Sequence, residues 1–312
     1  MHAVSVNVSI LVSAMKQLKR LCCLPLFYMV LPLSVAAQRP VDVSYSLDKK
    51  GAYVFTATNK TWCPYVVRLV FTSLENGTTD HALPFEGEVG PGPNTLFRLS
   101  KQNAAGDIVF KYSVSFRKCC LLTRPAADYP YLLPIAPGKE TQAYVSETHT
   151  DTIFSRYAVR LRMKPGDTIF AARRGIVTGI DVGSTQNDAG VASTEGWNAI
   201  EIFQGDSTFA EYGIVKKDGA LVKPGQTVET GTPIGLVGGD AYGRGSEARL
   251  SVCYYRENTP IFIPLQFWTK KNGKGMLKHG GTYTCEVTPA ILQLEKKKKP
   301  AGPPAKKLKP HK

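Results

Sequence analysis

A chain of 312 residues is long enough for two cores, and an apolar fraction of 43% excludes wholesale disorder. Plentiful glycine (28) and proline (21) favour short strands joined by tight turns, so a mainly β protein. The net charge of +14 suggests nucleic acid until it is located: eight lysines lie in 296–312 and Lys16, Lys19 and Arg20 lie before residue 37, with no acid in either segment. Taking those eleven charges away leaves only +3 on residues 38–295, so no nucleic-acid partner is expected of the body of the chain.

The chain begins with a leader. Met15, read as the start, opens a basic stretch ending at Arg20, and LCCLPLFYMVLPLSV (21–35) is an apolar run. Val35-Ala36-Ala37 supplies small residues where a signal peptidase inspects the chain, which makes residues 1–37 a signal peptide and Gln38 the mature start. The apolar run is short for a membrane span, so no transmembrane anchor is expected. The compact leader points to export in a bacterium, to the periplasm or the cell surface. In an oxidising compartment the remaining cysteines invite pairing. Cys63 with Cys119 or Cys120 is one candidate and Cys253 with Cys285 another, and the odd count leaves one thiol over.

Residues 38–125 alternate strand and turn: VDVSYSLD, AYVFTATN, YVVRLVFTSL, the turn ENGTTD, NTLFRLS and DIVFKYSVSF. Period-two runs of this length predict a β-sandwich of immunoglobulin-like type. Trp62, Cys63 and Pro64 read as a core or strand-edge feature. Residues 126–140, AADYPYLLPIAPGKE, are proline-rich and read as a linker. Residues 141–290 are again strands and glycine turns, among them a strand from Tyr157 to Met163 and a hairpin across Gly205-Asp206. Only TPAILQLE (288–295) hints at a helix. Residues 291–312 form a basic tail of low complexity that cannot bury a core. The plain reading is a solvated, disordered extension; the sharper alternative is attachment to an anionic surface.

Two stretches in the second part carry a resemblance. Tyr157-Ala-Val, with the run from Met163-Lys-Pro-Gly-Asp-Thr to Gly175-Ile-Val177, resembles the first half of the lysostaphin/LytM-type zinc endopeptidase core. The run from Tyr212-Gly-Ile-Val to Pro233-Ile-Gly235 resembles its later hairpins, and Gly238 to Ser246 with the strand that follows completes it. The likeness covers about 130–270 and implies a rolled antiparallel β-sheet domain, here called LytM-like, placed behind the sandwich. That family holds one zinc and cuts peptidoglycan cross-bridges or other proteins. The segment KPGQTVETGTPIG also resembles lipoyl and biotinyl carrier hairpins, but Lys164 is followed by Pro165 and export argues against that class.

Position by position, the resemblance implies a loss of chemistry. Zinc needs deprotonated imidazole or carboxylate ligands around an open position. The family's Asp falls on Arg160, a His after the hairpin tyrosine falls on Ile214, and its His-x-His pair falls on Glu247 and Arg249. His149 sits near the first expected ligand; it is the one candidate survivor, and its plain reading is a loop histidine. Arginine cannot be deprotonated to bind metal, and two guanidiniums repel a dication. No zinc and no catalytic residue is therefore expected. The resemblance implies a pseudoenzyme that binds or scaffolds peptidoglycan or an envelope protein, with Arg160, Tyr212, Glu247 and Arg249 as candidate groove residues. The alternative is an active cell-wall metalloendopeptidase with an unrecognised ligand set.

Overall fold

The computed structural model describes residues 39–286, apart from 119, 122–124, 127–128, 146–157, 184–197, 240–245 and 270–272. Among the described residues every helix or strand is a strand, so the protein is all β there. The leader, the lysine tail, the helical hint at 288–295, Cys119 and His149 lie outside the described residues. No helix among the described residues is long and apolar enough to cross a membrane.

The first seven strands are β1 (Val41–Leu47), β2 (Tyr53–Asn59), β3 (Tyr65–Glu75), β4 (Gly77–Thr79), β5 (Phe85–Val89), β6 (Gly92–Lys101) and β7 (Val109–Lys118). They form two sheets, β1-β2-β6-β4 and β5-β3-β7, which close on one apolar core. Alternation supplies the core: Phe55 and Ala57 on β2, Leu69 on β3 and Leu99 on β6 are completely buried. The Phe55 and Phe97 rings stack at 4.7 Å. Four strands against three is the immunoglobulin count, with one difference of order. The seventh place is filled by β5 on the free edge of β3, instead of by a strand beyond β7. In that strand, FEGEV, Phe85 and Val89 are buried and Glu86 and Glu88 exposed, and β4 lies inside the predicted turn ENGTTD.

The second unit contains β8 (Pro130–Tyr131), β9 (Glu140–Val145), β10 (Val159–Arg162), β11 (Thr168–Phe170), β12 (Gly175–Asp181), β13 (Ala199–Phe203), β14 (Phe209–Gly213) and β15 (Val215–Ala220). It continues with β16 (Thr227–Val228), β17 (Pro233–Val237), β18 (Glu247–Arg256), β19 (Thr259–Phe262), β20 (Gln266–Thr269), β21 (Gly273–Gly275) and β22 (Thr282–Thr284). One large antiparallel sheet runs β16-β12-β13-β14-β18-β10-β9-β22, with β19 paired to the far half of β18. Its apolar face carries Ile200, Ile202, Ala210, Tyr212, Leu250, Val252, Val159 and Leu161. Two small sheets, β11-β17-β15 and β21-β20-β8, add Ile169, Ile234, Val237, Phe267 and Tyr131 to the same core.

The stretch read as a linker belongs to this core. Leu132, Leu133 and Ile135 are buried in it, β8 pairs in parallel with β20, and the Tyr131 hydroxyl donates to Gln204 Oε1 at 2.9 Å. Prolines in YPYLLPIAP break regular structure but do not prevent burial of the apolar residues between them. The cysteine pairing also differs from expectation. Cys63, Cys253 and Cys285 are free thiols. Cys285 lies in the second core and Cys253 in a separate cluster with Cys63 and Phe209.

That separate cluster is a seam between the two units. Cys63 and Tyr65 from the sandwich pack with Phe203, Phe209, Cys253 and Tyr255 on the polar face of the large sheet. The Lys118 ammonium lies 4.5 Å above the Phe209 ring centroid and 2.6 Å from both carboxylate oxygens of Glu201. The Trp62 ring closes on the turn at Gly225, where an added Cβ would meet it at 2.8 Å.

Directly across from Glu201 stands Glu211, whose carboxyl is held above the usual carboxylate range by burial and by the Glu201 charge, with Lys118 opposing. A raised native pKa means that the native state holds a proton the unfolded chain has lost, so stability falls as pH rises above about 4.5 through the native value. Glu211→Gln is expected to raise the thermal midpoint at pH 7 and change it little at pH 4. Calorimetry at the two pH values checks this, and an unchanged or lower midpoint at pH 7 would refute it.

Candidate functional site

The site follows from the register of three strands. β10 reads Val-Arg-Leu-Arg, and its apolar residues Val159 and Leu161 face the core, so Arg160 and Arg162 point to the opposite face. β18 opposes it with Arg249 across from Arg160 and Glu247 across from Arg162. Tyr144 on β9 lies on the other side of Arg160. The row continues through Arg249 to Gly213 and Ala199 on β14 and β13. Long side chains thus crowd one end of the polar face, and very small ones floor the middle.

Glu247 and Arg249 make an ion pair. Arg249 Nε donates to Glu247 Oε1 at 2.7 Å, with the side chains only 7% and 14% exposed. Their contact satisfies a carboxylate in an otherwise costly place, since a charge withdrawn from water needs a partner. Arg160 and Arg162 behave differently. Their guanidinium carbons lie 5.9 and 5.7 Å from the centroid of the Tyr144 ring, inside the range of a cation–π contact. Neither forms an ion pair with another described residue. The ring is held in turn, because the Tyr144 hydroxyl donates to Gln142 Oε1 at 2.6 Å.

Tyr144, Arg160, Arg162, Glu247 and His279 line a cavity of about 230 Å3. His279 Nδ1 sits 2.9 Å from the Val145 carbonyl oxygen, which can only accept, so Nδ1 carries the proton and Nε2 is the bare nitrogen in the neutral ring. Among the described residues, three guanidiniums against one carboxylate leave this end of the face with a formal excess of two positive charges. Such a setting attracts an anion and opposes a metal dication. Among the described residues no three His, Cys, Asp or Glu side chains come together as ligands. The described donor set of the face, three guanidiniums and one paired carboxylate, does not fit zinc.

Of the residues singled out from the sequence, Arg160, Glu247 and Arg249 meet on one face. Tyr212 does not join them: it pairs with Leu250 on the opposite face, is fully buried, and its hydroxyl accepts from the Ala172 amide at 2.8 Å. It is a core residue, not a groove wall, because it stands an odd number of positions from its groove-facing neighbours. Ile214 is buried as well, with a left-handed φ of 64°, and its carbonyl accepts from the Gly238 amide at 2.8 Å. His149 lies outside the described residues. Arg162, Tyr144 and His279 were missed. Arg162 was within reach, since it stands two residues from Arg160 on one strand; Tyr144 and His279 come from strand pairing that no local pattern shows.

No family model matches the sequence, and no curated protein matches it. Solved structures show a partial likeness to the chain. The catalytic domain of the antimicrobial peptidase lysostaphin from Staphylococcus simulans is 20% identical, with 40% of this chain and 87% of that one covered and a TM-score of 0.29. The catalytic domain of the prophage-encoded M23 protein EnpA from Enterococcus faecalis is 16% identical over 43% of this chain and 94% of that one, at 0.32. Csd3 from Helicobacter pylori is 11% identical over 82% of this chain and 80% of that one, at 0.30. At such scores these likenesses carry no argument about activity, which rests on the residues of the face itself.

Breaking a nearly buried ion pair by removing its carboxylate costs up to about 3–5 kcal/mol. Glu247→Ala is expected to lower unfolding stability by that order in urea titration. A loss below about 1 kcal/mol, the scale of an exposed pair, would show that the pair is not a structural element of the face.

Proposed function

We propose that this chain is an exported, non-catalytic LytM-like protein that binds peptidoglycan or an envelope protein through the polar face of its large sheet. The observation that carries this reading is the Glu247–Arg249 ion pair. It stands where the resembling enzymes keep two histidines, and Arg160 stands across from it where they keep an aspartate. A guanidinium offers donors only and keeps its proton at any relevant pH, so it cannot ligate zinc or serve as a general base. What survives is a strand geometry that presents side chains to a groove, with arginines and an aromatic ring in place of a metal.

Export is supported by the leader at 1–37, whose basic, apolar and small-residue segments come in signal-peptide order. The periplasm or the cell surface of a bacterium is the compartment this implies. The lysine-rich tail supplies a separate, salt-sensitive attraction to anionic surfaces.

The test is metal analysis of the purified mature protein together with co-sedimentation with isolated peptidoglycan sacculi. The expected result is sub-stoichiometric zinc, no peptide-bond cleavage and sedimentation with sacculi. Zinc near one equivalent, with cleavage abolished by a chelator, would overturn the non-catalytic reading in favour of an active metalloendopeptidase.

A further inference from the structure

The cavity at the crowded end of the polar face has a chemistry of its own. Arg160 and Arg162 are held side by side by the Tyr144 ring, and no described carboxylate neutralises them. The carboxylate at hand, Glu247, is engaged with Arg249. Two preplaced guanidiniums with donors to spare suit a planar, singly charged oxyanion, which they can bind with paired hydrogen bonds. A dianion is disfavoured by the Glu247 charge on the same wall.

Size sets a second limit. About 230 Å3 is below the roughly 300–1,000 Å3 of sites that enclose a whole small molecule, so the cavity takes an end group of something longer. Beyond Arg249 the row drops to the small residues Gly213 and Ala199, and the arginines and Tyr144 stand at the other end.

We propose that this pocket captures the free C-terminal carboxylate of a peptide, with Arg160 and Arg162 as its donors. The assignment rests on the binding function proposed above and names the ligand group for that same face.

The experiment measures binding of the mature full-length protein to a fluorescent alanine-rich pentapeptide, in a free-acid form and a C-terminal amide form. The acid is expected to bind at least about tenfold more tightly, the effect of one charge-assisted hydrogen bond. Arg160→Gln and Arg162→Gln should each remove most of that preference with the thermal midpoint unchanged, whereas Lys217→Gln, at an exposed position on β15, should leave it intact. Equal binding of acid and amide, or no binding of either, overturns the proposal. Displacement of the acid peptide by inorganic phosphate at concentrations where acetate has no effect overturns it in favour of a phosphate site. Sacculus binding separates the two readings. Sedimentation that persists without any acid preference sinks the carboxylate assignment alone, and an acid preference without sedimentation sinks the peptidoglycan reading alone.

Discussion

The second unit depends on one constraint, the register that lays Val159, Leu250, Tyr212 and Ile200 side by side across four strands. All four are buried at 4% exposure or less. A slip of one residue on any strand would turn these side chains to the polar face and bring charges into the core. Burial of one row therefore fixes the next row along, the one carrying Tyr144, Arg160 and Arg249. The hydrophobic effect does not choose the chemistry of that face, but it does fix where each of its side chains stands.

This explains how a sheet can hold its geometry while its polar face changes character. Replacing residues on the outward row leaves the inward row untouched, so the strands keep their pairing. The polar face is also shared. Its Phe209 and Cys253 end is covered by the sandwich, where Lys118 meets Glu201, and its Tyr144 end is left with two guanidiniums that have no described counter-charge. The two ends solve opposite electrostatic problems. At the seam a lysine from another unit offsets two facing glutamates, and at the cavity, among the described residues, one glutamate stands against three arginines.

Much of this was legible in the sequence, and the misses have physical causes. Alternation revealed the strands of the sandwich and the Gly205-Asp206 hairpin, because a strand with one buried face writes its period into the chain. The i, i+2 spacing of Glu247 and Arg249 placed both on one face, and they do stand there as an ion pair. The same parity argument, applied across the hairpin, would have put Tyr212 inside. The segment 126–140 was misread because proline interrupts periodicity without lowering the hydrophobicity of Leu132, Leu133 and Ile135. Tyr144 and His279 reach the cavity through the pairing of β9 with β10 and β22. Pairing of distant strands is a tertiary fact with no local signature.

The seam has one further consequence. Cys63 belongs to the sandwich and Cys253 to the large sheet, and each thiol is buried between the two units. Burial raises both thiols, and the Cys253 thiol is pushed up to about 12, first by burial and then by Glu201 and Glu211. At neutral pH almost no thiolate is present to react while the units stay closed. Their alkylation rate thus measures how often the sandwich lifts away from the sheet, which makes the native cysteines a reporter of that motion with no label added.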